Sequence, residues 1–260
     1  MNAPTKSSAF HEVLAQRQFK IVYQPVVDLN NGRIFSYEAL LRSTNPAFSS
    51  PPELLNAAVA QNAMGHFGRL IREKTITDAP EATLFINVHP AELGDSWLVR
   101  PDDPIFEHPD GVYLEITESV PLTHFDLCHS ILAEVRARGV KLAVDDLGSG
   151  YSNLKYIADL APEVVKIDRD LIANLHTSKR QQILVAAIVR LCSDLGATVV
   201  AEGIETTDEF KAAQDTGAQF GQGYLLARPE FPPPLVPWPP KNGTAPSSAS
   251  NPPAFSKSAL

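Results

Sequence analysis

Short apolar runs in this 260-residue chain keep ending in a side chain that can hold a metal ion or move a proton. Ser36-Tyr37 leads to Glu38, Leu84-Phe85-Ile86 to Asn87, and Val112-Tyr113-Leu114 to Glu115. Leu142-Ala143-Val144 leads to Asp145-Asp146, Val164-Val165 to Lys166, and Val199-Val200-Ala201 to Glu202. The runs recur at about the length of one strand-plus-helix unit, roughly 30 residues. Parallel strands closed into a barrel bring their C-termini to one face, so these side chains would converge on one site.

The acidic pair carries the most chemistry. Asp145-Asp146 at a strand end is followed by the glycine-rich turn Leu147-Gly148-Ser149-Gly150. Adjacent residues on a strand point to opposite faces, but at its end the second can swing round. The pair could then bridge two metal ions about 3.5–4 Å apart, or simply make a good turn. The set of carboxylates and one amide is all oxygen, which suits Mg²⁺ or Mn²⁺ better than Zn²⁺. The seven histidines include no HxH or HExxH pair, and only His89, just past Asn87, stands near the set. Lys166 could orient a nucleophilic water or neutralise phosphoryl charge, or pair structurally with Asp168. Arg42 offers a fork for a substrate phosphate or is a solvated loop residue. Glu118 and Glu205, each three residues past a proposed ligand, could brace active-site loops or cap helices.

These residues need a scaffold of alternating strands and helices. The segment from Ile21 to Val27 and the run ending at Glu38 flank the turn signal Asn30-Asn31-Gly32, predicting a hairpin that an all-parallel barrel lacks. Pro51-Pro52 opens a helix carrying Leu54, Leu55, Ala58 and Val59. Thr123 is placed to cap a helix ending before Gly139, a second helix spans 178–195 before Gly196, and Thr206 with Glu209 fits a capping box closed by Gly217. Residues 1–9 read as a flexible leader. Residues 231–260, rich in Pro, Ser, Ala and Asn, read as a disordered tail, with a polyproline ligand around 232–240 as the alternative.

Composition narrows the partners. One barrel of about 250 residues nearly fills the chain. The net charge is −8 and no run of Lys or Arg forms a footprint for duplex nucleic acid. A phosphate-bearing substrate therefore needs bound cations. Cys128 and Cys192 belong to no CxxC and read as buried thiols in a reducing compartment. No stretch approaches the roughly 20 apolar residues of a membrane span, and the N-terminus lacks the apolar core of a signal peptide. The expectation is a cytoplasmic protein without membrane insertion.

Taken in order, the segments resemble an EAL domain, the cyclic di-GMP phosphodiesterase family. Glu38-Ala39-Leu40 is the signature, extended to Leu41-Arg42 and preceded by Tyr23-Gln24-Pro25. Ile86-Asn87-Val88, Leu114-Glu115-Ile116-Thr117-Glu118, Asp145 through Ser152, and Lys166-Ile167-Asp168 follow. Ala201-Glu202-Gly203-Ile204-Glu205 and Gly221-Gln222-Gly223-Tyr224 close the series. A lone Glu-Ala-Leu would mean nothing; the ordered series over residues 10–230 is specific.

The resemblance implies a modified TIM-type (β/α)8 barrel with one antiparallel strand, and hydrolysis of cyclic di-GMP to linear pGpG with Mg²⁺ or Mn²⁺. It implies that Glu38, Asn87, Glu115 and Asp145 hold one ion and that Asp145, Asp146 and Glu202 hold a second. Lys166 would contact the attacking water, with Glu202 and Gln222 at the reaction centre, and Gln24, Leu41 and Arg42 would touch substrate. Glu118 would anchor the loop 147–152, containing Gly148, Ser149 and Gly150, which in the family links the metal site to a homodimer interface. Three positions depart from the family's usual residues: Leu147 for Phe, His89 for Ser, and Val59 for an acidic residue. None removes a proposed ligand, so Leu147 bears on rate or dimer coupling more than on the reaction. Two other readings remain: a module that binds cyclic di-GMP without cleaving it, and an unrelated metal-dependent barrel enzyme.

Overall fold

Asp28 ends the first apolar run, and its Oδ1 accepts the backbone N–H groups of Asn30 (2.8 Å) and Asn31 (3.2 Å). With Gly32 in the left-handed region (φ 77°), the chain reverses here. The result is the expected antiparallel hairpin of β1 (Phe19–Asp28) and β2 (Ile34–Ser43). The computed structural model describes residues 5–94, 96–117, 125–149 and 154–241. β3 (Leu84–Asn87), β4 (Val112–Thr117), β5 (Lys141–Leu147), β6 (Val164–Ile167), β7 (Thr198–Ala201) and β8 (Phe220–Gly221) continue the sheet in sequence order until it closes on β1. β1 runs antiparallel to both of its neighbours, and every other strand pair is parallel.

Helices α1 (Lys6–Gln16), α2 (Pro51–Ala60), α3 (Met64–Asp78), α4 (Phe125–Ala137), α5 (Leu154–Leu160), α6 (Arg169–Ile172), α7 (Lys179–Asp194) and α8 (Thr207–Asp215) accompany the strands. Their ends follow the sequence signals. Ser50 and Ser178 cap α2 and α7, and Thr206 and Glu209 form the capping box of α8. The expected cap at Thr123 lies outside the described residues. The connection from β3 to β4 contains no α-helix among its described residues, only 3-10 turns at Pro90–Gly94, Ser96–Val99 and Pro104–Phe106.

Two boundaries differ from the sequence expectation. Residues 6–9, set aside as leader, form the first turn of α1, where Thr5 caps the helix and Ala9, Phe10 and Val13 are buried. A short polar stretch can be helical when its next turn docks. At the other end, residues 231–241 pack onto the barrel instead of hanging free. The Phe231 ring lies 6.4 Å from that of Tyr23, the Trp238 ring 5.7 Å from that of Phe210, and Tyr37 Oη donates to the carbonyl of Pro234 at 3.2 Å. This segment lines the hairpin, which has no crossover helix between its strands. Residues 242–260 lie outside the description.

Inside the barrel, side chains form layers. Val26, Phe85, Tyr113, Ala143, Val164 and Val200 make an apolar plug against which Phe35 and Phe220 pack. Stacked pairs tighten it: Phe35–Phe220 at 4.2 Å and Phe85–Tyr113 at 4.7 Å between centroids. Because strand side chains alternate, the residue two positions further towards the mouth faces inward again. Those positions are Gln24, Asn87, Glu115, Asp145, Lys166, Glu202 and Gln222. The plug thus forms the floor of the polar layer.

Candidate metal centre and active site

The polar layer is centred on Lys166. Its Nζ lies 2.6 Å from Glu115 Oε1, 2.8 Å from Glu202 Oε1, 3.2 Å from Asp145 Oδ1 and 3.4 Å from Glu38 Oε2. All five side chains are buried. Burial works against the ammonium, but the surrounding carboxylates outweigh it and hold the Lys166 pKa well above its ordinary value. Burial pushes Glu115 the other way from a normal carboxylate, well up, reinforced by Glu38 and Asp145 and opposed by Lys166. Asp168, the alternative partner of Lys166, caps α6 instead, accepting the N–H of Asp170 at 2.8 Å.

Two neighbouring carboxylates reach one site through a bulge. The pairing of β5 with β6 shifts between Val144 and Leu147, and Asp146 takes a left-handed conformation (φ 61°). A bulge adds one residue to a strand and re-aims its side chains, and Asp tolerates this region better than most residues. Both Asp145 and Asp146 are therefore available at the mouth. Carboxylate oxygens of Glu38, Glu115 and Asp145 lie within 4.8 Å of one another, as do those of Asp145, Asp146 and Glu202. Asp145 belongs to both groups. Among the described residues, these five carboxylates meet one ammonium, Lys166, a surplus of negative charge that divalent cations would offset. Buried, mutually close and all oxygen, the donors fit hard divalent ions.

Two amides extend the layer. Asn87 Nδ2 donates to Glu115 Oε2 at 2.9 Å and to Glu38 Oε1 at 3.3 Å. Gln222 Nε2 donates to Glu38 Oε2 at 2.5 Å and to Gln24 Oε1 at 3.0 Å, while Gln24 donates onward to the carbonyl of Ala227 at 3.0 Å. Gln24 and Glu38 are direct register partners on β1 and β2. Gln222 and Gln24 thus fix the orientation of Glu38. An amide shows either oxygen or nitrogen to the same place by a half-turn, so Asn87 suits a cation as well as a carboxylate.

Other expected residues are placed differently. Glu38 sits within β2, which continues to Ser43 because it pairs with the long β1. Leu41 falls on the outer face and packs into the layer between barrel and helices, away from the inward set. Arg42, four residues after Glu38, is partly buried and donates to the carbonyl of Leu41 at 2.8 Å. Burial lowers its pKa, opposed by Glu38 and Tyr224. Glu205 pairs with Arg169 at 3.0 Å and leaves the cap of α8 to Glu209, so it ties the β7 loop to the β6 loop. Gly148 (φ 105°) has Leu171 so close that a Cβ would lie 2.3 Å from its Cδ1, and Ser149 donates to the carbonyl of Asp146 at 3.1 Å. Leu147 is buried. Glu118 and Gly150 lie outside the described residues.

Sequence reading missed a second buried ionic group. Arg72 on α3 reaches Glu92 Oε2 at 2.5 Å and Asp103 Oδ2 at 2.9 Å, with all three buried. The signal was present: Met64, Gly68, Arg72 and Thr75 share the buried stripe of α3, and a charge there must be paired.

Residues 7–229 match the EAL domain family model. A Pseudomonas aeruginosa protein named cyclic di-GMP phosphodiesterase PA2567 is 35% identical over 233 residues, covering 85% of this chain and 40% of that protein. Among solved structures, Klebsiella pneumoniae BlrP1 in complex with manganese and cyclic di-GMP superposes with a TM-score of 0.70 at 34% identity, covering 82% of this chain and 56% of that one. The PaMucR phosphodiesterase in complex with cyclic di-GMP gives 0.76 at 28% identity, covering 86% and 97%. The chain spans less than half the length of the first curated relative. No helix of the described residues is long and apolar enough to cross a membrane.

Proposed function

Because the chain belongs to the EAL domain family, we propose that it is a metal-dependent phosphodiesterase that hydrolyses cyclic di-GMP to linear pGpG. The observation that carries this reading is Asp145, shared by two buried carboxylate groups of metal-holding size. Glu38, Asn87, Glu115 and Asp145 would hold one ion, and Asp145, Asp146 and Glu202 the other. Mg²⁺ or Mn²⁺ bound there supplies Lewis acidity, making a water nucleophilic near neutral pH for in-line displacement and offsetting phosphate charge.

The chain's own residues do the rest. Lys166, set among the carboxylates, would be a positive charge facing the water and the reacting phosphoryl group. Gln222 and Gln24 keep Glu38 aimed, and Arg42, at the rim, takes a substrate phosphate. The aromatic plug closes the site from below. Ile183 and Leu184, 60% and 50% exposed, lie on α7 with exposed Leu191, and with Leu195 at its C-cap they form an apolar row suited to a second copy of the chain. Light scattering of the full chain tests that dimer.

The deciding experiment incubates the full chain with cyclic di-GMP and Mn²⁺ or Mg²⁺ and resolves products by ion-exchange chromatography. Formation of pGpG is expected. Stoichiometric binding without pGpG would establish the non-catalytic module instead.

A further inference from the structure

Among the donors grouped above, Asn87 alone is exposed; the carboxylates around it are buried. Beyond its bonds to Glu115 and Glu38, packing does little to fix it, and its position depends on the backbone that follows it. Directly after it, Val88 donates its N–H to the carbonyl of Glu115 at 3.0 Å. One residue further, the N–H of His89 donates to Glu92 Oε1 at 3.2 Å. Glu92 is itself immobilised: its other oxygen, Oε2, meets Arg72 Nη1 at 2.5 Å. Arg72 Nε and Nη2 fork onto Asp103 Oδ2 at 3.0 and 2.9 Å, and Asp103 Oδ1 accepts the N–H of Ile105 at 3.3 Å. Gly68, one turn before Arg72, leaves room for the carboxylate, since a Cβ there would lie 1.9 Å from Glu92 Oε2.

We propose that Glu92, clamped by Arg72, is a positioning residue that holds the backbone beside Asn87 and so sets the affinity of the first metal ion. The inference rests on the metal assignment above. A crossover helix would dock the β3 exit by an apolar face. The described part of this connection has only 3-10 turns, and the buried charge triad takes over that role. Groups behind metal ligands tune affinity by holding those ligands in place.

The test is Mn²⁺ binding to the full chain, followed by the electron paramagnetic resonance signal of free Mn²⁺, with circular dichroism to confirm folding. Glu92→Leu is expected to weaken binding by about tenfold or more. Glu92→Gln, which keeps an acceptor for the His89 N–H, should recover most of that loss. Gly68→Ala leaves all three charges in place and favours the helix, yet displaces the Glu92 carboxylate; it is also expected to weaken Mn²⁺ binding. It carries the test alone should Glu92→Leu not fold. Folded Glu92→Leu or Gly68→Ala with wild-type affinity overturns the proposal, as does Glu92→Gln failing as fully as Glu92→Leu. If the wild type binds no Mn²⁺, or Asn87→Ala does not weaken binding, the metal assignment falls and this inference with it.

Discussion

The molecule contains two buried ionic clusters built on opposite plans. Around Lys166, a single ammonium faces four carboxylates, with Asp146 close by, and among the described residues negative charge outweighs positive. Around Arg72, one planar guanidinium forks between two carboxylates whose remaining oxygens accept backbone N–H groups. Burying unbalanced charge is costly, so the first cluster is suited to added cations. The second is satisfied within the protein and fixes loop geometry. Surplus charge held in a concave mouth marks a site for ligands, whereas a nearly balanced, fully hydrogen-bonded group marks scaffold.

The largest effect should come from removing the shared carboxylate. Asp145→Asn is expected to lower kcat on cyclic di-GMP by about a thousandfold or more, about 4 kcal/mol of transition-state stabilisation, and to reduce Mn²⁺ stoichiometry. An active variant would dissolve the first half of the contrast.

Stability in the presence and absence of metal then separates the clusters. Arg72→Met strands two buried carboxylates and should cost about 3–5 kcal/mol in urea unfolding, with little restored by Mn²⁺. Lys166→Met should also be destabilised in chelator, but Mn²⁺ should restore most of the loss, because the missing positive charge lies where cations bind. Equal rescue of both variants would show that the clusters do not differ in kind.

A smaller effect is expected at the turn after the acidic pair. Gly148→Ala forces a side chain into a left-handed conformation against Leu171 and should cost about 1–3 kcal/mol. A variant as stable as wild type would show that the turn after the acidic pair is not held by its backbone. The smallest is Trp238→Ala, which touches neither cluster. Losing its contact with Phe210 should cost about 1 kcal/mol and leave Mn²⁺ affinity unchanged.

Much of the candidate site was legible because barrel strands alternate. Phe85-Ile86-Asn87, Tyr113-Leu114-Glu115 and Ala143-Val144-Asp145 each repeat the same step from floor to mouth. The hairpin was legible from Asn30-Asn31-Gly32, and the α8 cap from Thr206 and Glu209, because each is a local interaction. Leu41, which the resemblance set at the substrate, lies on the outer face because the two-residue period of β2 turns it away from Glu38. The packing of residues 231–241 was hidden because a proline-rich composition says nothing about a neighbouring uncovered strand face.

By itself, then, the sequence determined the strand-helix alternation, the hairpin that makes β1 antiparallel, and the identity of the inward polar layer. These follow from periodicity and turn chemistry, which act over a few residues. Tertiary structure decided that Lys166 faces four carboxylates rather than Asp168, that Asp145 is common to two donor groups through the bulge at Asp146, and that Arg72 reaches Glu92 and Asp103. Each of these depends on barrel closure or crossover packing, which brings together charges far apart along the chain and excludes the water that would otherwise screen them.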